Sequence, residues 1–253
     1  MTKSPQLSFT LNNGIEMPSL GLGVLFAKND GEVERAVRAA IESGYRKIDT
    51  ASAYGNEEGV GRGLKESSYA RNDIFLTTKV WNTEQGYDQT LASFEESLQR
   101  LQTDYVDLFL IHWPVKSKYK DTYRALEQLY AEGRVKAIGV CNFSIPQLED
   151  LMQRSQIVPA LNQVEMHPHL SQNQLLAFAK KHQIQLEAWR PIMMGEVLKI
   201  SELIEIGKVH NKSAVQVALR WLIQRGIAVI PKSVNPKRIA ENIDVYDFEL
   251  TAE

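Results

Sequence analysis

Four residues in the first half of the chain have the types and spacing for proton chemistry: Asp49, Tyr54, Lys79 and His112. Asp49 stands at the end of the short apolar run 45–50, Lys79 at the end of 74–80, and His112 directly after 105–111; Tyr54 comes five residues beyond Asp49. A carboxylate, an ammonium, an imidazole and a phenol can between them orient, donate and accept protons. Singly, each has a plainer reading. A Lys or Asp that ends a strand is ordinarily a solvated charge, and a histidine beside Trp113-Pro114 is ordinarily a hydrogen-bonded structural residue. Three ionisable groups at consecutive strand ends, with a tyrosine close by, point instead to a shared site.

The elements that must carry them alternate along the whole chain. Short runs rich in β-branched residues fall at 19–24, 45–50, 74–80, 105–111, 135–140, 159–164, 184–189 and 227–231. Helical patterns lie between them. In 87–101, Leu91, Phe94, Leu98 and Leu101 recur at helical spacing. Ser-x-x-Gln at Ser144/Gln147, Ser171/Gln174 and Ser213/Gln216 reads as a capping box opening each of three later helices, and 199–210 is a further amphipathic stretch. An added pair of runs, 7–10 and 15–17, brackets Asn12-Asn13-Gly14, a hairpin signal.

Eight strand signals alternating with helices predict an α/β fold, a (β/α)8 TIM barrel with an N-terminal β-hairpin. The competing open sheet would carry Gly-x-Gly-x-x-Gly at its first turn, and Gly21-Leu-Gly23-Val-Leu-Phe lacks the third glycine. No low-complexity linker breaks the chain, so residues 1–253 read as a single domain.

A barrel of this kind keeps its chemistry at the C-terminal ends of its strands. Strand parity groups His112 with Val106, Leu108 and Leu110, and Lys79 with Phe75 and Thr77, which turns both inward. The remaining strand ends supply Asn142, Gln163, Trp189 and Lys232-Ser233. The segment Lys232, Ser233, Val234, Asn235 and then Arg238, Glu241 and Asn242 opens the last helix, where backbone N–H groups beside Lys and Arg would make an anion site.

Composition bounds the rest. In 253 residues, 29 Lys and Arg stand against 31 Asp and Glu, so no global charge bias argues for nucleic acid. The single cysteine, Cys141, cannot form an internal disulfide and reads as a small buried residue in a reducing compartment. No apolar signal core opens the chain and no apolar run reaches the ~18 residues of a membrane span. The expectation is a cytoplasmic enzyme without a membrane partner, with a monomer as the default state. Sequons at Asn142 and Asn211 carry no meaning in that compartment.

Five ordered motifs resemble the aldo-keto reductases: Asp49-Thr-Ala-x-x-Tyr54; Thr78-Lys79-Val80-Trp81; Ile111-His112-Trp113-Pro114; Asn162-Gln163-Val-Glu-x-His167-Pro168; and Ile230-Pro-Lys-Ser-Val234 with Arg238-Ile-x-Glu-Asn242. They span nearly the whole chain, in the manner of the smaller bacterial members such as glyoxal and methylglyoxal reductases and 2,5-diketogluconate reductase. The resemblance implies reduction of an aldehyde or ketone by hydride from NADP(H), with Asp49, Tyr54, Lys79 and His112 as a catalytic tetrad and no metal. Tyr54 would be the general acid, its pKa lowered by Lys79; Asp49 would keep Lys79 charged, and His112 would position the carbonyl oxygen. Asn142 and Gln163 would hold the nicotinamide carboxamide and Trp189 would stack on the ring. Lys232, Ser233, Val234, Asn235 and Arg238 would take the 2′-phosphate, with Glu241 and Asn242 nearer the adenine. Leu25, Trp81 and Trp113 would wall the substrate pocket.

Some positions depart from the family pattern. Arg190 stands where Ser is common, and would either meet the cofactor diphosphate by charge or turn outward. Leu25 replaces a frequent aromatic, and the chain stops at Glu253 where relatives continue: either the sequence is trimmed there or the pocket is open, and an open pocket predicts loose selection among aldehydes, α-oxoaldehydes and small keto compounds. Two rivals are weaker. His167-Pro-His169 has the form of a metal-hydrolase pair but follows the wrong strand, and fits better as a turn. A barrel that binds NADPH only as a sensor would have little use for all four tetrad residues.

Overall fold

The computed structural model describes residues 6–251; the first five residues and Ala252 and Glu253, on which expectations about the chain ends partly rest, lie outside it. The hairpin comes first, β1 (Ser8–Thr10) paired antiparallel with β2 (Glu16–Pro18). Each of the eight apolar runs then contributes a strand: β3 (Leu22–Gly23), β4 (Lys47–Asp49), β5 (Phe75–Val80), β6 (Val106–Ile111), β7 (Val135–Cys141), β8 (Leu161–Glu165), β9 (Gln185–Trp189) and β10 (Ala228–Val229). They form one parallel sheet in sequence order. Every residue of β5 and β6 is buried, because one face of each strand lines the barrel and the other lies under helices.

The sheet closes. Gly21 N donates to Val229 O at 2.9 Å, Val229 N to Ser19 O at 2.8 Å, and Gly23 N to Pro231 O at 3.2 Å, which joins the β3 and β10 segments. Gly23 is needed at that seam, since a Cβ there would stand 2.8 Å from the Ile230 carbonyl oxygen. The open sheet is thereby replaced by a barrel. The hairpin plugs its lower end: Leu11 and Met17 share a cluster with Phe75, Leu108, Leu110 and Leu161, and Asn13 Nδ2 ties the turn to Lys136 O at 2.8 Å.

Helices α1 (Glu32–Ser43), α2 (Glu57–Lys65), α3 (Tyr87–Leu101), α4 (Tyr119–Ala131), α5 (Ile145–Met152), α6 (Asn173–Lys181), α7 (Ser201–His210), α8 (Ala214–Gln224) and α9 (Pro236–Asn242) surround the sheet. Helix α3 matches its predicted span and buries Phe94, Leu98 and Leu101. The capping boxes at Ser144/Gln147 and Ser213/Gln216 are present. The one expected at Ser171/Gln174 is absent. There the chain enters α6 through Gln172 at φ 50°, and the Ser171 carbonyl accepts from Arg225 Nη2 instead. Parity holds for Leu108 and Leu110, which face the lumen, whereas Val106 joins the layer between sheet and helices at the strand's start. Among the described residues no helix is long and apolar enough to cross a membrane.

Candidate active site

Three strand ends and one short turn build the centre. Asp49 ends β4, Lys79 lies near the end of β5, and His112 continues β6, its N–H bonded to Val80 O at 3.2 Å. Tyr54 closes a single 3₁₀ turn, Ser52–Tyr54, that the Ser52 hydroxyl pins to Lys79 O at 3.1 Å and to Glu84 Oε2 at 2.6 Å. The turn swings the phenol back over the barrel mouth. Lys79 is fully buried and spends all three donors: on Asp49 Oδ1 at 2.6 Å, Thr50 O at 2.9 Å and the Tyr54 hydroxyl at 3.4 Å. His112 packs edge-on between Tyr54 and Trp81, at 5.6 and 4.9 Å between ring centroids.

Burial would strip the Lys79 proton, but Asp49 first and Tyr54 behind it hold the ammonium well above its ordinary pKa. Burial also pushes the Asp49 carboxyl up, with Lys79 opposing and the neighbouring Glu187 reinforcing. For Tyr54 the expected lowering is reversed. Burial outweighs the pull of Lys79 and raises the phenol to about 12, so it is protonated at neutral pH. His112 moves the other way, to about 3, because burial and then the Lys79 charge both oppose the imidazolium. Its Nδ1 is buried with no hydrogen-bond partner among the described residues. A proton there would be a stranded donor, so the neutral ring carries its proton on Nε2, the nitrogen left for the cavity. The Cys141 thiol, buried beside this group, is driven well above its ordinary pKa first by burial and is unreactive.

Two oriented amides follow on the next strand ends. Asn142, at φ 63°, donates from Nδ2 to His112 O at 3.0 Å and accepts Trp189 Nε1 on Oδ1 at 2.9 Å, which leaves one N–H. Gln163 donates from Nε2 to Asp49 Oδ2 and to Glu187 Oε2, both at 2.8 Å, which leaves Oε1 as a free acceptor.

Asp49, Tyr54, His112, Asn142 and Gln163 border one cavity of 1320 Å³, with Leu25, Trp81 and Trp113 along one end and Trp189, Arg190, Lys232, Ser233, Val234, Asn235, Arg238, Glu241 and Asn242 along the other. Of the sequence-predicted site residues only Lys79 does not reach its wall, being hidden behind Asp49 and Tyr54. The anion end differs from expectation in one respect. Asn235 Oδ1 caps α9 by accepting from Lys237 N and Arg238 N, and Pro236 has no N–H, so the first backbone donors are already used. The cationic character therefore rests on the Lys232 and Arg238 side chains, neither of which has an ion pair among the described residues. Arg190, by contrast, is paired with Glu165 at 3.1 Å, and His167 lies 3.5 Å from the same oxygen at the turn expected of it. Sequence reasoning missed Phe26 and Ile192, in turns, and Met194 and Leu198, in the kinked 3₁₀ stretch Met193–Lys199; all four line the cavity and none stands in a periodic pattern.

The aldo/keto reductase family model matches residues 19–253. The chain belongs to the aldo/keto reductase family. This reductase is 56% identical over 243 residues to a glyoxal reductase from Bacillus subtilis (strain 168), covering 96% of its own length and 88% of the relative's. Its fold superposes with a TM-score of 0.94 on the crystal structure of an aldo/keto reductase from Brucella melitensis, at 50% identity and covering 98% and 96% of the two chains. A mutant of Gox0644 crystallised in complex with NADPH gives the same TM-score at 46% identity, with 98% and 91% covered. The reductase is therefore an oxidoreductase of carbonyl compounds.

Proposed function

We propose that this reductase uses NADPH to convert aldehydes to alcohols, α-oxoaldehydes such as methylglyoxal and small keto compounds among them, with Tyr54 as the general acid. One observation carries the reading: the Tyr54 hydroxyl and the His112 imidazole converge on a cavity wall beside two amides whose unused groups are complementary to a carboxamide. The Asn142 N–H suits a carboxamide oxygen, and Gln163 Oε1 suits a carboxamide N–H. The cavity exceeds the roughly 300–1,000 Å³ of a drug-sized ligand site, as a dinucleotide with a substrate requires. These residues fit NADPH, with Trp189 against the nicotinamide and Lys232 and Arg238 toward the 2′-phosphate. Ser233, Val234 and Asn235 would lie along the same stretch, Glu241 and Asn242 toward the adenine, and Arg190 toward the diphosphate.

When bound, the cofactor supplies the hydride. The chain's own groups do the rest. His112 donates from Nε2 to the carbonyl oxygen and fixes its place without adding a charge. Tyr54 donates its proton as negative charge builds on that oxygen, and Lys79, already bonded to the phenol oxygen, stabilises the phenolate left behind. Asp49 keeps Lys79 charged and aimed. Leu25, Phe26, Trp81 and Trp113 offer the substrate an apolar wall with few polar groups, which supports broad selection among aldehydes. The matched relative that is a glyoxal reductase supports small α-oxoaldehydes.

The test follows NADPH consumption over a panel of aldehydes that includes methylglyoxal, in the wild type and in Tyr54→Phe. Turnover that disappears in the variant while NADPH still binds supports the reading. NADPH binding without turnover by the wild type favours the sensor, and no binding sinks both.

A further inference from the structure

The buried polar groups continue past Asp49 into the barrel. Glu187 on β9 has no exposed surface and forms an ion pair with Lys47 on β4, which is equally buried. Strands β4 and β9 are not neighbours in the sheet, so the pair crosses the lumen. Lys47 Nζ also reaches Met17 Sδ of the hairpin plug at 3.0 Å. Its aliphatic stem runs over Gly21, where a Cβ would stand 2.8 Å from Lys47 Cγ, so the glycine keeps the crossing open. A buried ion pair of this kind confers little or no stability over apolar residues of the same volume. Its other contact says what it does.

Glu187 Oε2 accepts one hydrogen of the Gln163 amide and Asp49 Oδ2 accepts the other, each at 2.8 Å. Reversing that amide would set its oxygen against two carboxylates. Two anions on one NH₂ group fix both the sense and the plane of the amide, which a single acceptor cannot do. Lys47 pairs with the inner anion, so Glu187 can sit one amide away from Asp49 while Asp49 keeps the Lys79 ammonium as its own partner.

We propose that Glu187, neutralised by Lys47, is a positioning residue of this reductase: it locks the Gln163 amide with Oε1 toward the cavity, where it accepts the N–H of the nicotinamide carboxamide. This rests on the reading of Gln163 given above. The lock makes the site select a ring that bears an amide N–H over one that lacks it.

The experiment compares binding of NADP⁺ with binding of its 3-acetylpyridine analogue, which keeps the carbonyl and loses the N–H, by fluorescence titration of the full chain. The wild type is expected to prefer NADP⁺ by about tenfold, the worth of one well-placed hydrogen bond. Lys47→Met with Glu187→Leu removes both charges at similar volume, and the preference is expected to fall to about twofold while the thermal midpoint stays near that of the wild type. Lys47→Met with Glu187→Gln returns a neutral acceptor to the same place and is expected to restore most of the preference. A Met/Leu variant that retains the wild-type preference overturns the proposal, whatever happens to its stability or turnover, and so does a Met/Gln variant that restores none of it. Gln163→Ala separates the two readings. If it too keeps the preference, the assignment of Gln163 to the carboxamide falls with the proposal; if it loses the preference while Met/Leu does not, only the role of Glu187 falls.

Discussion

The Lys79 ammonium donates to the Tyr54 hydroxyl at 3.4 Å while its other two donors are held by Asp49 and the Thr50 carbonyl. It therefore cannot turn away from the phenol when the proton leaves. Burial first, and the same fixed charge after it, keep the neighbouring imidazole neutral. One buried cation thus borders a protonated phenol on one side and a neutral imidazole on the other.

Replacing Tyr54 with Phe removes the transferable proton and little else, because among the described residues the hydroxyl has no partner but Lys79. The expected loss in kcat for aldehyde reduction is about 10³-fold, within the usual range for a general acid. NADPH affinity, measured by fluorescence quenching, is expected to stay within about twofold, since the cofactor contacts come from other strands.

The pH dependence follows from the two displaced groups. With Tyr54 as the proposed acid, reduction needs the phenol protonated, and it is held up to about 12, so kcat/KM is expected to be level through neutral pH and to decline only in strong alkali. His112 sits at about 3 in the folded protein against an ordinary value of 6.5. Its folded pKa is depressed, so the unfolded chain takes up a proton first as the pH drops. Stability held above about 6.5 is therefore lost progressively as the pH falls toward 3. Urea unfolding at stepped pH should show a shallower acid slope for His112→Gln than for the wild type; equal slopes would place the acid sensitivity elsewhere.

How much of this was legible in the sequence depended on whether a residue's partner was near in pattern or only in space. Asp49, Lys79 and His112 were readable because each ends an apolar run, and barrel geometry brings strand ends together. Tyr54 needed the family motif, since a 3₁₀ turn leaves no periodicity. Lys47 and Glu187 share strand parity with Asp49 and Trp189, yet a lone charge within a short run looks like a solvated edge until its partner across the lumen is known. The lowered phenol pKa expected from Lys79 failed for a related reason: a sequence shows the neighbouring charge and not the depth of burial that outweighs it. Likewise Asn235 read as a ligand, and the structure spends its oxygen on a helix cap.

Lys79→Met should damage the fold as well as the chemistry. Without the ammonium, Asp49 is a fully buried carboxylate with Glu187 beyond one amide, and Lys47 is the remaining cation for both. Breaking a buried pair this way costs about 3–5 kcal/mol. Lys79→Met with Asp49→Asn removes both charges and should recover most of that stability in denaturant titrations, yet no turnover. Recovery of activity as well would take Lys79 out of the mechanism.

The two unpaired cations at the far end of the cavity are expected to set the choice of dinucleotide. Lys232 and Arg238 have no ion pair among the described residues, so a phosphate is the partner their exposed charges can still gain. Neutralising both with Lys232→Ala and Arg238→Ala is expected to weaken NADPH binding by at least about tenfold and to leave NADH within about twofold. Equal losses for the two dinucleotides would remove these side chains from the 2′-phosphate.

Arg190 calls for a different signature, because part of its charge is already committed. It pairs with Glu165 at 3.1 Å yet lines the same cavity, its guanidinium half exposed. A diphosphate drawing on it must compete with that carboxylate, so the contribution is modest and sensitive to salt. Arg190→Ser is expected to weaken NADPH about threefold at low ionic strength and hardly at all in high salt. Glu165→Gln frees the guanidinium and should strengthen NADPH binding in the wild-type background, but not in Arg190→Ser. If Arg190→Ser binds NADPH as well as the wild type or better, the guanidinium serves Glu165 alone.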